Sequence, residues 1–240
     1  AGGRGTENVK SLRNWNEYMA DESLRRKHPC FVLAPQSNVS WNDPLVSAKE
    51  PPDLSPESVA SFAEAWRSRF DRYRSRFSAE PTGNLHLVCK LIDEKLMKQF
   101  KIEADRVYCL GHSMGGFGTF TAIYQHPDRF AAAIPTAGGF YPWRDAARIR
   151  DIPIWTFHGS ADNIVPTDFT RDIFSRMKKI EGNMKYTELK DVTHGANAIA
   201  FKYTGDDLNK GYVTNYASDR PDKTSDIWDW LFRQKLSHRK

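Results

Sequence analysis

Apolar residues recur along this chain in two rhythms, and the segments they mark alternate. Short runs enriched in β-branched, aromatic and apolar residues near 30–35, 106–112, 130–136, 152–158 and 185–190 predict strands. Longer stretches with apolar residues three and four apart, near 9–20, 57–78, 83–99, 114–126, 167–181 and 224–236, predict helices. Strands alternating with helices call for a mainly parallel sheet covered on both faces, an α/β chain with three α/β/α layers. In such a sheet the functional groups belong at the carboxyl ends of the strands.

One predicted helix stands apart. Between 57 and 78, Val59, Phe62, Trp66, Phe70, Tyr73 and Phe77 form an aromatic stripe, while Arg67, Arg69, Arg72, Arg74 and Arg76 occupy the remaining faces. The stripe is expected to pack on the domain with the arginines solvated. The segment follows a proline-rich stretch from Pro44 to Pro56, so residues 45–80 also read as a helical insertion, a lid over a pocket. No tandem repeat or low-complexity block interrupts the pattern, and residues 1–240 are expected to form a single domain.

Chemistry enters at Gly111-His112-Ser113-Met114-Gly115, where the strand ending at 112 gives way to a helix. Gly-x-Ser-x-Gly in a strand-turn-helix context is the signature of a nucleophile elbow, in which a strained turn lifts the serine hydroxyl clear of the sheet. Five residues with three specified arise often by chance. The discriminating expectation is an acid and then a histidine, each just after a later strand. Asp162 follows the strand 152–158 through the turn Gly159-Ser160, and His194 follows the strand 185–190, with Gly195 expected to permit the sharp turn that presents the imidazole.

Competing residues are assigned lesser roles. His158 adjoins Gly159 ahead of the acid and reads as structural support; His112 is expected to point away from the site; Asp191 reaches His194 less naturally than Asp162. The expected chemistry assigns Ser113 as nucleophile, His194 as general base and Asp162 as the group that fixes the histidine tautomer, with an acyl-enzyme intermediate. An oxyanion needs two donors, and the Met114 N–H at the start of the elbow helix is the first candidate. The only glycine-rich stretch upstream is Ala1-Gly2-Gly3-Arg4-Gly5.

Composition narrows the classes. The chain has 240 residues and is 40% hydrophobic, enough to bury roughly 70% of its unfolded surface. No run of about 20 apolar residues offers a membrane span. The formal charge of +5 raises a nucleic-acid reading, but its strongest local case is the arginine-bearing helix, read as a solvated face, so no nucleic-acid partner is expected. Cys30, Cys89 and Cys109 are odd in number, lack metal-ligand spacing and read as buried thiols; neither a metal nor a cofactor is expected.

Residues 106–118, 153–166, the His194 turn and the closing Trp228-Asp229-Trp230-Leu231-Phe232 together resemble the esterases and predicted peptidases related to polyhydroxybutyrate depolymerases, within the α/β-hydrolase superfamily. The resemblance covers most of the chain and implies an α/β-hydrolase fold. In that family a strand ends in His-Gly before a loop with an Arg-Gly pair, which Ala1 to Gly5 match from the residue after His-Gly; by resemblance Ala1 or Gly2 supplies the second oxyanion donor. The preceding strand and the family's initial strands are absent, so the resemblance implies an N-terminally truncated chain, and it favours a secreted or periplasmic setting. Phe31 to Gln36 match the family's next strand.

Three functional readings are carried forward. The first is a serine carboxylesterase acting on small, aryl or polysaccharide-linked esters. The others are a serine peptidase, and an inactive fragment or noncatalytic binding protein. Gln36, Trp41, Phe140, Tyr141 and Trp143 are candidates to line the substrate pocket. Oligomeric state has no signal in the sequence.

Overall fold

The computed structural model describes residues 18–37, 41, 84–141 and 144–239. Strands β1 (Tyr108–His112), β2 (Ala132–Thr136), β3 (Ile154–Gly159), β4 (Met184–Leu189) and β5 (Tyr212–Tyr216) form one sheet in the order β1-β2-β3-β4-β5. The first three pairings are parallel, with Leu110 opposite Ile134 and Trp155 opposite Lys185; β5 closes the far edge antiparallel to β4.

The helices are α1 (Glu22–Lys27), α2 (Leu85–Leu91), which runs through a π-helical turn (Ile92–Leu96) into α3 (Met97–Gln99), then α4 (Met114–Gln125), α5 (Asp168–Lys179), α6 (Ala196–Ala200) and α7 (Ile227–Arg233). Side-chain alternation along the strands fills two cores. Ala133, Ile154 and Met184 meet Phe120 and Ile123 of α4 and Ile173 and Met177 of α5. Ala132, Ile134, Trp155 and Phe157 face the other way, against Ala200, Phe201, Trp228, Trp230 and Leu231. In α5 the residues Phe169, Ile173 and Met177 fall four apart and are buried, while Arg176, Lys178 and Lys179 close its last turn, where cations meet the negative end of the helix dipole. Asp226 caps α7, its carboxylate accepting from the N–H groups of Trp228 and Asp229 at 2.9 Å.

Two expectations are corrected. Residues 30–35 form no strand; Phe31, Val32 and Leu33 are exposed, and a groove of about 930 Å³ separates this segment from β1. A strand exists through its ladder of backbone hydrogen bonds, and apolar composition alone does not supply one. Cys30, in the same extended segment, is exposed, whereas Cys89 is buried and Cys109 half-buried. Conversely β5 lies in a region with no predicted strand: Tyr212, Thr214 and Tyr216 give it only one half-buried face, a weak apolar signal for an edge strand.

The expected helix at 57–78, the insertion at 45–80 and most of the expected helix at 9–20 lie outside the described residues. Among the described residues no helix is long and apolar enough to cross a membrane.

Candidate active site

Ser113 follows β1 and caps α4 at φ 58°, ψ −119°, a left-handed conformation that a side-chain-bearing residue adopts only under constraint. Its N–H continues the sheet ladder by donating to the Thr136 carbonyl at 2.9 Å. Gly111 makes the turn possible, because a Cβ there would lie 2.1 Å from the Gly115 carbonyl oxygen. Across the sheet, Gly138 packs on Gly116 with no space for a methyl, which seats the loop after β2 against the start of α4.

The loops after β3 and β4 are laced together. Ser160 N–H donates to Leu189 O at 2.9 Å, Ala161 N–H to Val192 O at 3.0 Å, and Asp191 N–H to Ser160 Oγ at 2.8 Å. The sharp turn before His194 is made by Asp191, at φ 59°. Gly195 is not the device expected of it: its φ is −80°, and a Cβ there would meet nothing within 4 Å.

These three strand ends bring Ser113, His194 and Asp162 together. His194 Nε2 lies 2.8 Å from Ser113 Oγ, and His194 Nδ1 lies 2.8 Å from Asp162 Oδ2. The Asp162 side chain is fully buried while that of His194 is 19% exposed, so a ligand can reach the imidazole and the serine but not the acid. Asp162 Oδ1 accepts from the N–H groups of Ile164 and Val165, each at 2.9 Å. Burial works to raise this carboxyl's pKa, but hydrogen bonds from His158, His194 and those two backbone groups outweigh it and hold Asp162 well below the usual carboxylate range. The arrangement can withdraw a proton from Ser113 and hold the resulting imidazolium against a carboxylate.

His112 does not point away. Its ring lies against that of His194 with centroids 4.9 Å apart. Burial, and then the neighbouring His194, push it down to about 3, so it is neutral at ordinary pH. The Thr136 hydroxyl donates to Gly111 O at 3.1 Å, leaving its oxygen to accept from His112 Nδ1–H at 3.2 Å.

The other candidates fall elsewhere. Met114 opens α4 beside Ser113. Gly2 and Trp143 lie outside the described residues. Gln36 and Trp41 line the groove beside β1, which His112 also borders; Ser113, Asp162 and His194 do not. Phe140 is fully buried between the rings of Phe120 and Tyr124, so it is a core residue with no surface for a ligand; Tyr141 packs on Phe117. The residue underestimated by sequence reasoning is His158, whose Nε2 lies 3.2 Å from Asp162 Oδ2; its signal is a His-Gly pair four residues before the acid.

Residues 90–167 match the prolyl oligopeptidase family. The chain is 27% identical over 176 residues to the bifunctional acetylxylan esterase/xylanase XynS20E of Neocallimastix patriciarum, covering 68% of this chain and 25% of that protein. It is 34% identical over 124 residues to the cutinase est1 of Thermobifida alba, covering 51% of this chain and 40% of that one. The crystal structure of a thermostable esterase superposes with a TM-score of 0.66 at 28% identity, covering 98% of this chain and 52% of that chain. This chain therefore spans about half of that esterase and a smaller share of the two sequence relatives. Its fold is that of the α/β-hydrolases.

Proposed function

We propose that this chain is a serine hydrolase of carboxylic esters. The observation that carries the reading is that His194 stands 2.8 Å from both Ser113 Oγ and Asp162 Oδ2. In this reading Ser113 attacks the ester carbonyl as His194 takes its proton. The imidazolium, held by Asp162, then protonates the departing alcohol, and water admitted to the vacated side hydrolyses the acyl-enzyme by the same base. The Met114 N–H, at the positive end of α4, stabilises the oxyanion; Gly2 is the proposed second donor. Similarity to proteins named acetylxylan esterase and cutinase supports small, aryl or polymer-linked esters as substrates.

The match of residues 90–167 to the prolyl oligopeptidase family favours a second reading, a serine peptidase using the same acyl-enzyme. Assaying short-chain aryl esters beside peptide anilides, with Ser113→Ala in parallel, separates the possibilities. Ester hydrolysis that falls about a millionfold in the variant is expected where the three residues act as a unit. Turnover indifferent to Ser113→Ala defeats both readings, and turnover confined to anilides selects the second.

A further inference from the structure

His158 is a fully buried imidazole at the end of β3 whose two nitrogens are both engaged. Nε2 lies 2.9 Å from the Val165 carbonyl oxygen and 3.2 Å from Asp162 Oδ2. A carbonyl and an ionised carboxylate can only accept, so Nε2 carries the proton and donates to both. Nδ1 lies 2.7 Å from Thr170 Oγ1 on α5, and that hydroxyl is 3.3 Å from the Gly138 carbonyl, in the loop that packs on the elbow helix at Gly116. One ring thus ties together the acid's own loop, α5 and the loop facing the nucleophile.

We propose that His158 is a positioning residue for the Ser113–His194–Asp162 constellation, its Nε2–H holding Asp162 Oδ2 in the plane where that same oxygen accepts from His194. This rests on the hydrolase reading above. Asp162 Oδ1 is held by the N–H groups of Ile164 and Val165, and without His158 Oδ2 would keep, among the described residues, a single donor, which is the group it must orient. A buried histidine that only filled the core would satisfy its nitrogens without touching the acid.

Among the described residues, few charged or titratable groups surround His158. Asp162, His194 and the neutral His112 lie toward the site. Glu188 is its register partner on β4 and is paired with Arg171 of α5; Asp168, also on α5, is about half exposed.

The test uses kcat and KM for an aryl ester in the wild type, His158→Phe and His158→Gln. Phenylalanine keeps the volume and removes the donor. The glutamine amide nitrogen reaches near the place of imidazole Nε2. For His158→Phe, kcat is expected to fall about ten- to a hundredfold as the acid loses its alignment, with KM changed far less. His158→Gln is expected to restore most of kcat. A wild-type kcat in His158→Phe, or no rescue by glutamine relative to phenylalanine, overturns the proposal. The unaltered protein supplies a readout that needs no variant to fold. In 15N-histidine NMR His158 must appear with its proton on Nε2, in a resonance that shifts in Asp162→Asn; a neutral ring protonated only on Nδ1 overturns the assignment. Loss of activity in Ser113→Ala together with an indifferent His158→Phe would reject the positioning role and leave the hydrolase reading standing.

Discussion

Gly159 approaches Val192 so closely that a methyl group on Gly159 would lie 2.0 Å from the Val192 carbonyl oxygen. The contact is backbone against backbone, with no flexible side chain to give way, and it holds the loop bearing Asp162 to the loop bearing His194. Gly159→Ala is therefore expected to cost roughly 1–3 kcal/mol or more as overpacking. The melting temperature should drop by several degrees, with activity falling further than the folded fraction does. Gly195→Ala, one residue after His194, meets open space at an ordinary φ and should stay within about 0.5 kcal/mol of the parent. Circular dichroism melts of the two variants side by side check the contrast.

Strain at Ser113 makes a second expectation. A backbone conformation of this kind costs on the order of 1–3 kcal/mol in a residue with a Cβ, and glycine relieves it. Ser113→Gly should melt higher than Ser113→Ala while both are inactive, as measured by thermal unfolding at one pH. Equal melting temperatures would show that the elbow holds no strain.

Asp162→Asn keeps the shape of the acid and changes its hydrogen bonding. The amide can present an N–H toward His194, which favours the wrong imidazole tautomer and leaves the ring unable to accept the Ser113 proton. With the geometry otherwise intact, kcat should drop by about ten-thousandfold, which an ester assay at saturating substrate measures. Stability carries a separate sign. The native carboxyl titrates below its unfolded counterpart, so its contribution is present above about pH 4 and fades as pH falls toward the depressed native value. Urea titrations at pH 7 and pH 3 should show the wild type's advantage over Asp162→Asn shrinking in acid.

Lys185 offers the opposite sign. Its side chain is buried, donates to Thr224 O at 2.8 Å and stands 3.3 Å from the centre of the Trp155 ring, with Trp230 at 5.0 Å. Burial pushes it down from 10.5 to about 7, partly offset by the charges of Asp222 and Asp206. Between those values the unfolded chain holds a proton the native protein has released, so native stability rises with pH across that window and is lowest below pH 7. Lys185→Met removes the titration, and its stability relative to wild type should decline from pH 6 to pH 10. Denaturant unfolding at several pH values checks this; a difference that does not vary with pH defeats it.

Legibility in the sequence tracks the strength of local signals. Residues 106–112, 130–136, 152–158 and 185–190 carry enough apolar content to mark β1 to β4 to within a residue or two. The segment Phe31–Gln36 carries as much, yet it forms no strand, because a strand also needs a neighbour to bond with. The tyrosine-rich β5 has the neighbour and lacks the signal. At the site, chain order points to Ser113, Asp162 and His194, whereas the places of His112 and His158 are not legible, because nothing in a one-dimensional pattern says which way a ring turns.

What the sequence determined by itself was the alternation of elements and the order of the chemistry, since both follow from spacing along one chain: an elbow between strand and helix, then an acid, then a histidine. Tertiary structure alone decided the distances. Whether Asp162 and His194 meet depends on Gly159 passing under Val192 and on Ala161 bonding across the loops, and whether Asp162 has one imidazole partner or two depends on His158 turning inward from β3. Those are contacts between residues far apart or differently facing, set by packing.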